Sequence, residues 1–256
     1  MAISNYPVTN LSIQLTPHFK LREFWNPQNY IGDNGITKAM TDQITIIMLD
    51  NVLLQLLEGL RAMYREIYPE AVILVNPHGG YRPSNPVNIN RKVGGASGSQ
   101  HRYGKAADII VRTSKDPLQY LDAATAIIMA ETWMAKNGIK GGLGMYGAND
   151  NHFHIDVRGY FLAWYDSYSA SGCPIATDLR YTQGARKTTL RKGKKCAGIV
   201  LLQRYLITQG QLLKAPDGYF GDNTFNALTA WQQANNLAVD GKFGPQSNAV
   251  AKLFNW

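Results

Sequence analysis

Cysteine is almost absent: Cys173 and Cys196 are the whole supply. Their separation fits neither a metal pair nor a redox motif, which excludes a cysteine-bound zinc. Two free thiols are expected rather than one disulfide. Long apolar runs are missing too. No stretch reaches the ~18–20 residues of a membrane helix, so no membrane partner is expected. Residues 1–19 have neither the basic start nor the apolar core of a secretory signal. The expectation is a protein made in the cytoplasm that needs another route to any target outside it. Charge is sparse at 17%, against 45% hydrophobic residues, as in a soluble globular protein. The 256 residues suffice for one sizeable domain plus a small module.

The net charge of +8 is unevenly placed. Ten Lys and Arg face three acids from Gly184 to Trp256, a net +7 for the last third. Such a patch favours a polyanion, and an anionic cell wall is the expected partner. Nucleic acid is not, because the basic segment shows no reading helix or stacking array.

Breakers at Pro7, Pro17, Pro27 and Gly32 mark residues 1–38 as irregular. Apolar residues from Ile44 to Ile67 recur at three- and four-residue steps, which predicts a helix over 41–68 capped by Thr41 or Asp42. Residues 71–75 read as a buried strand. Residues 77–100, rich in Gly, Pro, Ser and Asn, read as a long loop of the kind that carries function. A strand follows over 106–111. Asp116-Pro117 predicts the start of a helix that ends at Asn137-Gly138. Residues 141–146 and 153–157 predict two more strands, with Trp164 closing the core. Residues 171–189 are small, polar and basic, and read as a linker. Beyond it, helices are predicted near 199–206 and 222–235. Asp217-Gly218-Tyr219-Phe220-Gly221 and Asp240-Gly241-Lys242-Phe243-Gly244 repeat one turn 23 residues apart.

Two stretches carry the chemistry. Residues 99–108 hold His101 and Asp108, seven apart, with Gly104 allowing a sharp entry from loop to strand. In His152-Phe153-His154-Ile155-Asp156 strand alternation points His152, His154 and Asp156 one way and the apolar pair the other. Three of the five histidines fall in these two stretches. Two histidines and one aspartate would leave a fourth zinc position for water, as catalytic sites do.

The residues Gly80-Tyr81-Arg82-Pro83, Asn88, Val93 to His101, Gly104, Ala106 and Asp108 resemble the zinc D-Ala-D-Ala carboxypeptidase family, peptidase family M15. Gly141 to Tyr146, His154 to Gly159 and Leu15 to Phe24 extend the resemblance, which covers roughly residues 10–165. It implies an α+β zinc peptidase domain, a small antiparallel sheet with flanking helices, over 1–170. It implies Zn2+ held by His101, Asp108 and His154, with Arg82 meeting substrate or transition-state charge. Tyr81, Ser99 and Tyr146, in the matching blocks, are expected to touch substrate. Many relatives carry an acid three residues before the second histidine ligand, where this chain has Asn151. The expected base is therefore Asp156, with Asp150 and His152 behind it, and His152 could instead stabilise an oxyanion.

Residues 190–256, through Leu190 to Gly193, Leu202-Gln203, Trp231-Gln232 and the doubled Asp-Gly-x-Phe-Gly, resemble a three-helix peptidoglycan-binding domain. Together the resemblances imply a monomeric zinc peptidase that cuts peptidoglycan stem peptides or cross-links, such as a phage endolysin released through a holin pore. The alternative is a wall-binding protein whose peptidase fold has lost its base.

Overall fold

The computed structural model describes residues 3–147, 150–165, 175–176, 189–195 and 197–253. Both cysteines and most of the expected linker lie outside the described residues. In chain order the structure runs β1 (Ile3–Pro7), α1 (Leu21–Phe24), α2 (Lys38–Thr41), β2 (Ile46–Asp50), α3 (Asn51–Ile67), β3 (Val72–Val75), α4 (Ile89–Lys92), β4 (Ala106–Lys115) and β5 (Leu118–Tyr120). It continues through α5 (Ala123–Lys136), β6 (Gly142–Met145), β7 (His152–Asp156), β8 (Leu162–Tyr165), β9 (Ile175–Ala176), α6 (Ala197–Thr208), α7 (Asp222–Ala234) and α8 (Pro245–Ala251). Two compact units form: residues 1–121, 139–142 and 151–161, and residues 122–138, 143–150 and 162–256.

In the first unit β4 is the central strand. It pairs antiparallel with β3 on one side and β7 on the other, and turns back on β5. Ile109 lies opposite Phe153, and both are fully buried. One residue earlier on β4, on the other face, Asp108 lies opposite His154. The core side of the sheet is thus apolar while the same register carries the polar cluster on the reverse.

The predicted helix over 41–68 is α2, then β2, then α3. Ile47 and Leu49 are buried while Ile46 is exposed, a two-residue alternation that the three- and four-residue steps concealed. The cap is Asp50, whose Oδ1 accepts from Val52 N at 2.9 Å, rather than Thr41 or Asp42. Residues 3–7, expected to be irregular, form β1 against β2. Asp116-Pro117 sits in the turn of the β4–β5 hairpin, and α5 instead starts behind Asp122, which caps Thr125 N at 2.9 Å.

The second unit packs α5 beside α6, with an Asp122–Arg204 ion pair of 2.5 Å. In this unit a Cβ at Gly144 would lie 2.0 Å from the Trp164 ring, so the glycine admits the indole. The three C-terminal helices close on Leu228, Trp231, Phe220 and Phe243, each at most 1% exposed. The α+β part followed by a small helical part is the architecture expected. No helix of the described residues is long and apolar enough to cross a membrane.

Candidate metal centre

Backbone constraints bring three side chains together. A 3-10 turn over Gln100–Tyr103 carries His101 and closes at Gly104, whose φ is 64°. A Cβ on Gly104 would lie 1.9 Å from Met48 O, so only glycine lets the turn lie on β2. The loop after β3 clamps Asp108: its N donates to Gly79 O at 2.7 Å and its O accepts from Asn76 N at 2.8 Å. Gly79 and Gly80 have no room for a Cβ, which would fall 2.6 Å from Asp108 O and 2.1 Å from Phe24 O respectively. His154 comes from β7, directly across the ladder from Asp108.

His101 Nε2, Asp108 Oδ1 and His154 Nδ1 form a near-equilateral triangle. The sides are 3.1 Å between the histidines, 3.1 Å from His154 to Asp108 and 3.3 Å from His101 to Asp108. Ligand atoms about 2.0–2.1 Å from a tetrahedral zinc stand about 3.3 Å apart, so the triangle matches one face of such a site. The outer nitrogens fix the tautomers. His101 Nδ1 donates to Gly80 O at 2.7 Å, and His154 Nε2 donates to Asp156 Oδ2 at 2.9 Å. With both histidines neutral, the three inward atoms all present lone pairs, an arrangement that calls for a cation or a proton.

The titration shifts follow from that crowding. Burial lowers His101 to about 4, more than the Asp108 charge can offset. Burial would lower His154 as well, but hydrogen bonds and charge from Asp108 and Asp156 outweigh it and raise the pKa. Asp108 is held well below the carboxylate range, because the two histidines outweigh the cost of burial.

Asp156, the expected base, is enclosed by its hydrogen-bond partners. It is 0% exposed. Its Oδ1 accepts from Gly142 N at 2.8 Å, Arg158 N at 3.0 Å and Arg158 Nε at 2.9 Å. Its Oδ2 holds His154 Nε2, on the edge of the ring away from the triangle, and an ion pair with Arg158. Burial alone would raise its pKa, but these partners outweigh it and lower the pKa. Arg82 reaches the cluster from the loop after β3. Its Nη2 donates to Asp108 Oδ2 at 2.8 Å, which aims Oδ1 into the triangle. Its Nε is buried with no hydrogen-bond partner among the described residues.

The matches to known families coincide with these features. The peptidase M15 model matches residues 17–156, more than half of the chain, and takes in all three converging side chains. The chain belongs to the peptidase M15 family. A peptidoglycan binding domain model matches residues 197–249, which are α6 to α8. This M15 peptidase therefore carries a peptidoglycan-binding domain, and peptidoglycan is its partner. The family's peptidases are zinc-dependent, and the buried His101, Asp108 and His154 group is able to hold a metal ion.

The other expected site residues fall in several places. His152 lies on the same face of β7 as His154 and is half-buried. Ser99 precedes the His101 turn and is half-buried. Tyr81 is 5% exposed, with its N donating to Phe24 O. Asp150 and Tyr146 belong to the second compact unit. Two contributors were given no role from sequence: the Gly80 carbonyl and Arg158. Arg158 stands two residues beyond Asp156 in the His154–Gly159 block, and that spacing was the available signal.

Proposed function

We propose that this M15 peptidase is a zinc enzyme that hydrolyses an amide bond in the stem peptide or cross-link of peptidoglycan. The observation that carries the reading is the triangle of three inward lone pairs with sides of 3.1 to 3.3 Å. His101, Asp108 and His154 would hold the metal. Zinc bound there supplies a Lewis acid for the scissile carbonyl and an acidified water.

The chain's own residues do the rest. Gly80 O and Asp156 orient the two imidazoles, and Arg158 keeps Asp156 charged and in place. Arg82 orients Asp108 and keeps its Nε as a donor for a substrate oxygen. His152, next to His154 along one strand face, is the residue we assign to proton transfer, with Ser99 at the substrate. The peptidase part is assigned to 1–170 and the wall-binding part to 190–256, joined by 171–189. The binding part raises the enzyme's concentration over its substrate. Two wall-directed parts in one chain fit a lytic role of the phage endolysin kind, with release through a membrane pore.

The test is digestion of defined peptidoglycan with zinc, with chelator, and with zinc restored, followed by mass spectrometry of the fragments. New amine and carboxyl termini that appear only with zinc support the reading and name the bond. Intact wall with the protein still attached to it refutes hydrolysis and leaves a binding protein.

A further inference from the structure

The two repeated loops of the C-terminal part are built alike and finished differently. In the first, Gln203 Nε2 donates to Asp217 Oδ1, Tyr219 O and Thr224 Oγ1 at 2.7 to 3.0 Å, while its Oε1 accepts from Asp217 N and Gly218 N. In the second, Gln232 Nε2 donates to Asp240 Oδ1, Lys242 O and Ser247 Oγ at 3.0 to 3.3 Å, and its Oε1 accepts from Gly241 N. Both glutamines are at most 2% exposed. One buried side chain thus fixes each loop, and each loop floors a cleft. Because the scaffolds match, the differences between the clefts lie in what has been placed on them.

The first cleft is about 360 Å³ and the second about 180 Å³. Tyr219 stands in the first where Lys242 stands in the second. A Cβ on Gly221 would lie 3.1 Å from Tyr219 Cε1, so the tyrosine ring lies close over a glycine backbone. The ring is nevertheless 48% exposed. Lys214 and Asn223, both exposed, stand at the same cleft. In the second cleft the place over the matching Gly244 goes to Thr189, whose Oγ1 lies 3.4 Å from the position of an added Cβ. Among the described residues no aromatic ring lines that cleft, and it is half the size.

We propose that the first cleft is a saccharide subsite for the glycan strand, with Tyr219 as the platform for one sugar ring, and that the second cleft does not bind glycan. This rests on the peptidoglycan-binding assignment of the domain. A pyranose ring has an apolar C–H face and a polar rim of hydroxyl and acetamide groups. An exposed ring with polar side chains beside it meets both parts. A lysine in the ring's place can reach the polar rim but offers no platform for the apolar face.

The test uses the full chain, with chitotetraose and peptide-stripped glycan strands as probes and intact sacculi as a reference. Tyr219→Ala should weaken chitotetraose binding about three- to tenfold, the range of one aromatic contact. Tyr219→Leu, which keeps apolar bulk but removes the ring, should behave likewise. Tyr219→Phe should stay within about twofold of the parent. Lys242→Ala should leave binding unchanged. Full binding by both Tyr219→Ala and Tyr219→Leu overturns the proposal, as does an equal loss in Lys242→Ala. A parent chain that is retained on sacculi but binds neither glycan probe overturns the saccharide subsite alone. A parent chain that is not retained on sacculi overturns wall binding itself.

Discussion

Asp156 Oδ2 accepts a hydrogen bond from His154 Nε2 at 2.9 Å, while the opposite ring nitrogen faces Asp108 Oδ1 at 3.1 Å. The imidazole is thus held from behind by one carboxylate and turned toward another. If Asp156 acts by positioning His154, its loss should register first in metal affinity. Asp156→Asn should weaken zinc binding about 10- to 100-fold, the usual effect of removing an outer partner of a ligand. Zinc competition against a chromophoric chelator measures it. Unchanged zinc affinity with turnover lost would return Asp156 to the role of base.

His152→Ala is the complementary case. It should keep the parent's zinc affinity and lose about 100-fold or more in turnover, the contribution of a proton-transfer group. Zinc content and fragment release measured on one preparation separate the two outcomes.

Zinc uptake should expel a proton. His154 is raised above its ordinary 6.5 in the metal-free protein, and Nδ1 is the nitrogen a metal would take. A raised folded pKa means the ring keeps its proton to higher pH than a free imidazole does, so metal affinity must rise as pH increases through the folded pKa. Calorimetric titrations in buffers of different ionisation enthalpy should show a buffer-dependent heat of the sign of proton release.

The turn that carries His101 depends on a glycine. Gly104→Ala would combine φ 64° with a Cβ 1.9 Å from Met48 O. It should cost at least about 2 kcal/mol, and zinc affinity should fall with it. Gly94→Ala has φ 78° but open space around it, and should cost only about 1 kcal/mol. Chemical denaturation of the two variants checks the contrast.

Asp122 caps α5 and pairs with Arg204. Asp122→Ala should cost about 1 kcal/mol, and Asp122→Asn less, because Asn also caps. Burial would raise the Asp122 pKa, but bonds from Thr125 and Arg204 outweigh it and lower it below 3.8. Its stabilisation is therefore complete above that value and is lost as pH falls through the folded pKa. The gap in melting temperature between parent and Asp122→Asn should close on acidification.

How much could be read from the sequence varied with the kind of signal. The grouping of His101, Asp108 and His154 was legible through the family resemblance of their two blocks, while spacing and strand alternation alone brought histidines and acids together without separating His154 from His152 or Asp108 from Asp156. The role of Asp156 was not. Alternation puts it on the face of His154 but cannot show Arg158 folding back to close it off. The contact of Arg82 with Asp108 was hidden for the same reason, since it spans 26 residues. β2 was hidden because Ile44, Ile47 and Met48 also fit a helical step, and only pairing with β1 resolves the period. The repeated Asp-Gly loops were visible as a repeat, but the divergence of their clefts depends on Thr189 and Gly221, which pattern alone does not connect.

The most direct measurement is a zinc titration of metal-free protein in which bound zinc and peptidoglycan fragment release are followed on the same samples. The account predicts that release rises in proportion to bound zinc and saturates at about one ion per chain, and that Asp108→Asn shows neither tight zinc nor release. Full release from the metal-free protein, or from Asp108→Asn without bound zinc, would contradict it.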